Sequence, residues 1–217
     1  MSVRDRLVNA AEVLFAERGV DDVSLREINA AAGASNASAI QYHFGDRAGL
    51  VRAVLAKHHP AVEARRHALL DQYEAAGRDD LRELAGAFVR SLAAELDDPD
   101  GGPGYLQVMA DLANRPRPVV DPATTDDPRN STARWRALVE PRLSPDAVRL
   151  HRRFVAVQFT LTELARRARS APHTDNRLFT SHLVDLVAAV LAAPVSDETR
   201  RLDSQRPARR RRPPNRG

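Results

Sequence analysis

A short segment near the N-terminus carries side chains that suit contact with duplex DNA. Ser38 and Gln41 offer donors and acceptors that can pair with base edges. Tyr42 and His43 can reach backbone phosphates or a thymine methyl group. The residue types and their spacing therefore indicate a helix that enters the major groove.

Residues on either side of this segment could hold the DNA backbone. Ser24 lies at a predicted helix N-terminus, and Arg47 falls in the first turn of the next long helix, so both can bind phosphate. We also place Arg26 and Asn36 in the DNA-contacting set. These residues predict a positioning role, which complements base reading by the central segment.

Three short helices must position these side chains. Glycines 19, 33 and 45 follow three stretches with helical spacing of apolar residues, and each is a stop signal. The second helix opens with Ser24 and Glu27 in the pattern of a capping box. The helices are predicted at residues 3–18, 24–32 and 36–44. This is the layout of a helix-turn-helix unit.

The third helix should have one face toward the core and one toward solvent. Helical periodicity places Ala37, Ile40 and Phe44 on the core side. The outward side is then predicted to carry Ser38, Ala39 and Tyr42, flanked by Gln41 and His43.

A longer run of sequence resembles a known family. Residues 40–50, IQYHFGDRAGL, resemble the signature of the TetR-type (tetracycline-repressor-like) regulators, and the preceding Ser24-Leu25-Arg26-Glu27-Ile28 and Ala32-Gly33 fit as well. The resemblance covers about the first fifty residues. It departs from the usual pattern in a turn that is one residue longer between Gly33 and Phe44, in Gln41 where tyrosine is usual, and in Arg47 where lysine is usual.

The resemblance implies a mechanism that periodicity alone does not show. Regulators of this type are homodimers whose last two long helices form a four-helix bundle. Their middle helices enclose a pocket for a small-molecule effector, and binding there spreads the recognition helices and releases a palindromic operator. The resemblance therefore implies a non-enzymatic repressor with double-stranded DNA, an effector and a second copy of the chain as partners.

The rest of the chain predicts an all-α fold. Helices are expected at residues 46–76 with a bend at Pro60, and at 80–96, 105–114, 144–169 and 174–193. Residues 115–130 predict a long mobile loop. The predicted domains are a helix-turn-helix domain at 1–50, an effector and dimerisation domain at 51–196 and a disordered arginine-rich tail at 197–217.

Two sets of residues in the large domain are assigned roles. The predicted dimer interface on the last two long helices comprises Phe154, Leu161, Phe179, Leu183, Leu186 and Val190. The predicted effector-contacting set, which could equally be ordinary core, comprises Phe88, Tyr105, Met109, Trp135 and Gln158.

Composition restricts the class of protein. The 217 residues are 43% hydrophobic and 29% charged and include no cysteine, which argues against disulfide scaffolds and thiolate metal sites. The net charge is +4, but six arginines beyond residue 205 leave −2 for the remainder, so bulk charge does not locate a DNA-binding end. With no signal peptide or long apolar run, we expect a soluble cytoplasmic protein without a membrane partner.

Alternatives remain open from sequence. His58, His59 and Glu63 resemble metal-ligand spacing, but Pro60 and the absence of an evident third ligand favour a solvated surface, so no metal or cofactor is predicted. His151 and His182 are interpreted as satisfied polar groups on the dimer helices. A helical enzyme or metal protein, or an adaptor whose helix-turn-helix no longer meets DNA, would be the alternatives to a DNA-binding regulator.

Overall fold

The computed structural model describes residues 1–34, 36, 38–115, 127, 129–170 and 173–205. Within these ranges the regular structure is helical, without strands, as the predicted all-α fold requires. The α-helices are α1 (Val3–Arg18), α2 (Leu25–Ala31), α3 (Ala39–Phe44), α4 (Arg47–Ala76), α5 (Leu81–Ala93), α6 (Gly102–Ala113), α7 (Ser131–Val139), α8 (Pro145–Arg149), α9 (Arg152–Arg169), α10 (Arg177–Ala192) and α11 (Asp197–Ser204).

The first three helices form a compact head around one apolar cluster. Phe15, Ile28 and Ile40, one from each helix, are all at most 1% exposed. Helix α1 has the predicted bounds and ends at Gly19, whose φ of +90° suits glycine. The capping box at Ser24 is present, because the Ser24 side chain accepts from the Glu27 amide and the Glu27 carboxylate accepts from the Ser24 amide.

Helix α4 connects the head to the rest of the protein. It begins after Asp46, whose carboxylate accepts a hydrogen bond from the Gly49 amide at 2.7 Å, and it ends at Gly77 in the left-handed region. The helix runs without interruption through Pro60. Its first residues belong to the head cluster, whereas Val62, Leu70 and other later residues belong to a second core.

The second core lies among α4, α5, α6, α7, α9 and α10. Helix α9 packs on α6, and α10 packs on α5. Trp135 is fully buried at its centre, and its indole nitrogen donates to the Leu84 carbonyl at 2.8 Å. The bulky aromatic ring and its satisfied N–H together fix α7 against α5.

Helix α6 belongs to both cores. Its Val108 and Leu112 join the head cluster, while Tyr105 and Leu106 join the second core. The helix starts at Gly102, earlier than the predicted Tyr105, because Pro103 fits the first turn of a helix. The head therefore packs directly on a helix of the larger domain.

Three predictions about the C-terminal half need correction or fall outside the described residues. The helix expected at 144–169 is divided into α8 and α9 at His151, which has a φ of 54°. The predicted disordered tail begins with a helix, α11, capped by Ser196, and residues 206–217 lie outside the described residues. Most of the predicted loop at 115–130 also lies outside them.

Within the described part of the chain, no single helix is both long and apolar enough to cross a membrane. Only α10 and α11 together, bent by 53° at their junction, meet those limits by length and composition.

Candidate functional site

Helix α3 presents side chains outward from the head. Tyr42 is 83% exposed and Gln41 is exposed, whereas Ile40 is buried beneath them. His43 is half-buried and its ring contacts that of Tyr42 edge-on, with centroids 4.9 Å apart. The structure thus brings Gln41 and Tyr42 together on the exposed face of α3, and an α-helix is an element that the major groove of DNA admits.

The predicted outward face of α3 needs one correction. Ala39 is 6% exposed and packs into the head core instead of facing solvent. The helix begins at Ala39, three residues later than predicted, so the helical phase extrapolated from residue 36 does not apply there. Ala37, assigned to the core side, lies outside the described residues.

The turn before α3 is held by Asn36. Its side-chain oxygen accepts hydrogen bonds from the Ser38 amide at 2.9 Å and from the Ser38 hydroxyl at 2.7 Å. An asparagine side chain that binds the backbone two residues later forms a turn, and this turn competes with helix formation. It explains the late start of α3. Asn36 and Ser38 are both exposed beside the helix.

The predicted phosphate-contacting residues lie around α3 in different states. Ser24 and Arg26 are exposed at the start of α2. Hydrogen bonds from Ser24 and Arg18 hold the pKa of the Glu27 carboxyl down at about 2, so this group is an anion. Arg47 is half-buried, and its Nη1 donates to the Val20 carbonyl at 2.5 Å. Arg47 therefore stabilises the loop between α1 and α2.

One exposed cation beside α3 was missed by sequence reasoning. The guanidinium of Arg4 lies 5.4 Å from the centre of the Phe44 ring, at the end of α3. Arg4 is exposed on α1 and comes close to α3 only through tertiary packing. Forty residues separate the two in sequence, so no local pattern could have revealed the pair.

The residues predicted to contact an effector are partly assembled in the second core. Phe88, Tyr105 and Trp135 are all buried, and the rings of Phe88 and Trp135 are 4.6 Å apart. Met109 and Gln158 are half-buried nearer the edge of this core. Burial raises the pKa of the Tyr105 hydroxyl, which is therefore neutral.

A buried arginine, also missed from sequence, adds polarity to this aromatic core. Arg66 stacks over the Phe88 ring at 4.9 Å and donates to the hydroxyls of Ser91, Ser131 and Thr132. Burial lowers the pKa of its guanidinium, and the nearby Glu63 carboxylate opposes that shift. The Glu63 carboxylate accepts a hydrogen bond from the Ser131 amide at 2.7 Å. Glu63 therefore holds the start of α7 and is not the solvated group that the sequence predicted.

The predicted interface residues divide into two groups. Leu161 and Leu183 are at most 4% exposed and belong to the core of their own protomer, which corrects their assignment to a dimer surface. Phe154 is 58% exposed and Leu186 is 38% exposed, while Phe179 and Val190 are half-buried. His151 and His182 are exposed on the same two-helix unit.

The largest departure from the sequence interpretation concerns His58. It was expected on a solvated surface, but it is 3% exposed where α1, α4 and the end of α5 meet. Its Nε2 lies 2.6 Å from Glu12 Oε1 and its Nδ1 lies 2.8 Å from Glu95 Oε2. Asp98 approaches the same Nδ1 at 3.5 Å. We call these four residues the junction cluster.

The carboxylates of the junction cluster favour the positively charged form of His58. Burial lowers the pKa of the His58 imidazole, but the hydrogen bonds to Glu12 and Glu95 outweigh it and raise the pKa to about 9. Glu12 also accepts from Lys57 Nζ at 2.8 Å, and Glu95 accepts from Arg65 Nη1 at 2.5 Å. A charged network therefore connects the head to the larger domain.

Comparison with known proteins bears on the head in particular. Residues 7–54 match the family model described as bacterial regulatory proteins of the tetR family. This range spans α1 to α3 and the start of α4. No curated protein matches the chain.

Two solved structures are similar in outline. A TetR-family regulator from Streptomyces coelicolor A3 is 21% identical with a TM-score of 0.43, covering 87% of this chain and 94% of that one. RolR in complex with the ligand resorcinol is 21% identical with a TM-score of 0.45, covering 90% of this chain and 95% of that one. The family match covers the helices that present Gln41 and Tyr42, so the head of this chain is similar to the N-terminal region of bacterial regulatory proteins of the tetR family.

Proposed function

We propose that the protein is a repressor that binds a palindromic operator as a homodimer and is released by a small-molecule effector. The observation that carries the proposal is the outward face of α3, where Tyr42 and Gln41 project from a trihelical head with a buried apolar core. Side chains that reach base edges specify sequence, and those that reach phosphates fix the orientation of the protein.

The proposed contacts fall into two classes. Gln41, Tyr42, His43 and Ser38 read the groove, while the surrounding residues hold the backbone. The backbone set comprises Ser24, Arg26, Asn36 and Arg47, to which we add Arg4. Arg47 uses one nitrogen to hold the Val20 carbonyl, and its other N–H donors can reach a phosphate beside it.

The proposed dimer uses the outer faces of α9 and α10. Phe154, Val155, Leu178 and Leu186 are large apolar side chains that are between 38% and 82% exposed on these two helices. Such a concentration of exposed apolar area is typical of an interface. Two copies joined there would present two α3 helices, and a palindromic site with half-sites about 34–36 Å apart would satisfy both.

The proposed effector site lies in the second core. Phe88, Tyr105, Met109, Trp135 and Gln158 supply an aromatic and polar lining, and the Arg66 guanidinium supplies a charged partner beside it. Small-molecule sites combine apolar walls with a few polar groups in this way. Trp135 is the single tryptophan, so its fluorescence reports on ligand entry directly.

DNA binding is tested by selecting bound sequences from random duplexes and by anisotropy on the gene's own upstream DNA. Tyr42→Ala should weaken binding to the selected site at least tenfold, about 1.4 kcal/mol. Arg4→Ala and Arg26→Ala should weaken binding to all sequences and lower the salt slope by about one each. Arg78→Ala, a control remote from α3 with a side chain 71% exposed, should change neither.

Two outcomes would defeat the proposal. If no selected duplex binds more tightly than bulk competitor, the protein does not read DNA sequence. If Tyr42→Ala and Arg26→Ala both bind like the parent, α3 is not the reading element. Effector release requires a compound that both quenches Trp135 and weakens operator binding, because a compound that does only the first is not an effector.

A further inference from the structure

The junction cluster gathers three carboxylates around one imidazole. The side chains of Glu12, His58 and Glu95 are at most 3% exposed, and that of Asp98 is 29% exposed. Ionised carboxylates only accept hydrogen bonds. A positive charge must therefore lie between Nδ1 and the carboxylate oxygens of Glu95 and Asp98, and it is either a proton on Nδ1 or a metal ion that replaces that proton.

A single proton satisfies this arrangement incompletely. Protonated Nδ1 can point its hydrogen at Glu95 Oε2, 2.8 Å away, but Asp98 Oδ2 at 3.5 Å is then too far for a good hydrogen bond. One nitrogen and two carboxylate oxygens that lie close together are a donor set that suits a metal ion. The three potential ligand atoms all lie within 4.8 Å of one another.

We propose that the junction cluster is a binding site for a first-row divalent metal ion, with zinc the best chemical match, held by His58 Nδ1, Glu95 and Asp98. A fourth, solvent ligand completes the tetrahedron. Bonds of about 2.0–2.2 Å to a tetrahedral ion separate neighbouring ligands by about 3.4 Å. The 3.5 Å between His58 and Asp98 already fits, and the 2.8 Å between His58 and Glu95 widens when the ion replaces the proton.

Surrounding groups hold the ligands as a metal site requires. Glu12 accepts from His58 Nε2, which fixes the tautomer that leaves Nδ1 free for metal. Lys57 binds the second oxygen of Glu12, and Arg65 binds the second oxygen of Glu95. Each ligand or supporting carboxylate thus keeps one oxygen engaged and offers the other toward the imidazole.

Charge also favours a dication. Four carboxylates gather in this region and two permanent cations oppose them, which leaves two negative charges when His58 is neutral. The carboxylates are those of Glu12, Glu95, Asp98 and Asp100, and the cations are Lys57 and Arg65. A divalent ion brings this total to zero, and the partial exposure of Asp98 provides a path of entry from solvent.

The site links α4 to the turn that follows α5, and it does not depend on the proposed repressor function. Its test therefore reads metal uptake directly. The full chain without an affinity tag is stripped with chelator and titrated with cobalt(II), which reports coordination by its visible absorption, and then with zinc in competition. One equivalent should bind per chain, and zinc should displace the cobalt.

Matched variants locate the ion. Asp98→Asn should weaken binding at least tenfold, while Asp79→Asn, whose side chain is 78% exposed and lies outside the cluster, should leave it unchanged. His58→Gln should abolish the cobalt spectrum, while the exposed neighbour His59→Gln should retain it. Circular dichroism checks the fold, and the partly exposed Asp98 keeps the test valid if the His58 variant does not fold.

The proposal is overturned if the parent chain takes up less than one tenth of an equivalent. It is also overturned if Asp98→Asn and His58→Gln fold and bind cobalt as the parent does, because the ion then lies elsewhere.

Discussion

The carboxylate of Glu12 offers the sharpest test of how the head is joined to the larger domain. Although it lies on α1, it is 2% exposed and accepts hydrogen bonds from His58 Nε2 and Lys57 Nζ, both on α4. Glu12→Ala removes the only head residue of the junction cluster. Two cations on α4 then lose their shared partner.

The size of the effect follows from burial. Removing one partner from a buried ion pair costs about 3–5 kcal/mol, because an uncompensated charge remains. Lys57 is 18% exposed on its side chain and keeps Asp100 at 3.1 Å, so its share is reduced. We therefore expect a loss of about 3 kcal/mol, which for a chain of this length lowers the melting temperature by about 6–12 °C.

The assay is thermal unfolding followed by circular dichroism, with chelator present so that metal does not contribute. Glu12→Gln preserves the shape of the side chain and separates lost charge from lost volume. Glu17→Ala, an exposed residue on the same helix, is the control and should shift the melting temperature by less than about 2 °C.

The reasoning fails if Glu12→Ala costs less than about 1 kcal/mol, since a surface ion pair would do the same. It also fails if Glu12→Gln is as stable as the parent while Glu12→Ala is not, because packing volume and not charge would then explain the loss.

Two further substitutions test packing, one in the second core and one beside Glu12. Trp135→Phe removes the indole donor to the Leu84 carbonyl and leaves a small cavity. Chemical denaturation should therefore show that the free energy of unfolding falls by about 2 kcal/mol. No measurable change would mean that this hydrogen bond and its packing do not stabilise the core. Gly101→Ala places a Cβ 2.0 Å from Glu12 Oε2 at a φ of +95°, whereas Gly77→Ala meets nothing within 4 Å at a φ of +62°. Both variants should lose about 1–2 kcal/mol of stability because alanine is strained in the left-handed region. Gly101→Ala should lose more than Gly77→Ala, because its Cβ also meets Glu12. Equal losses would contradict the close approach to Glu12.

Local signals made the head predictable. The stop at Gly19, the capping box of Ser24 and Glu27, and the cap at Asp46 each act within four residues, so reading them along the chain gave helices close to those observed. The prediction that Gln41 and Tyr42 face outward also depended on helical phase over one short helix. Ala39 was misplaced because the Asn36 turn delays that helix.

Other features were decided by tertiary structure. The partner of His58 is 37 residues away at Glu95, and local spacing pointed instead to His59 and Glu63. The break at His151 carries no glycine or proline to announce it. Helix α11 could have been predicted from local sequence. Ser196 followed by Asp197 and Glu198 is a typical helix start, although a basic run follows it.

The length of α4 gives it the properties of a lever. Its 30 residues rise about 1.5 Å each, so the helix is about 45 Å long, with one end beside α3 and the other near Leu70 and Tyr73 in the second core. A tilt of about 5° at the core end sweeps the far end through about 4 Å, more than the 3.4 Å rise between successive bases along a strand. Small rearrangements in side-chain packing deep in the larger domain can thus displace the exposed side chains of α3 by several ångströms.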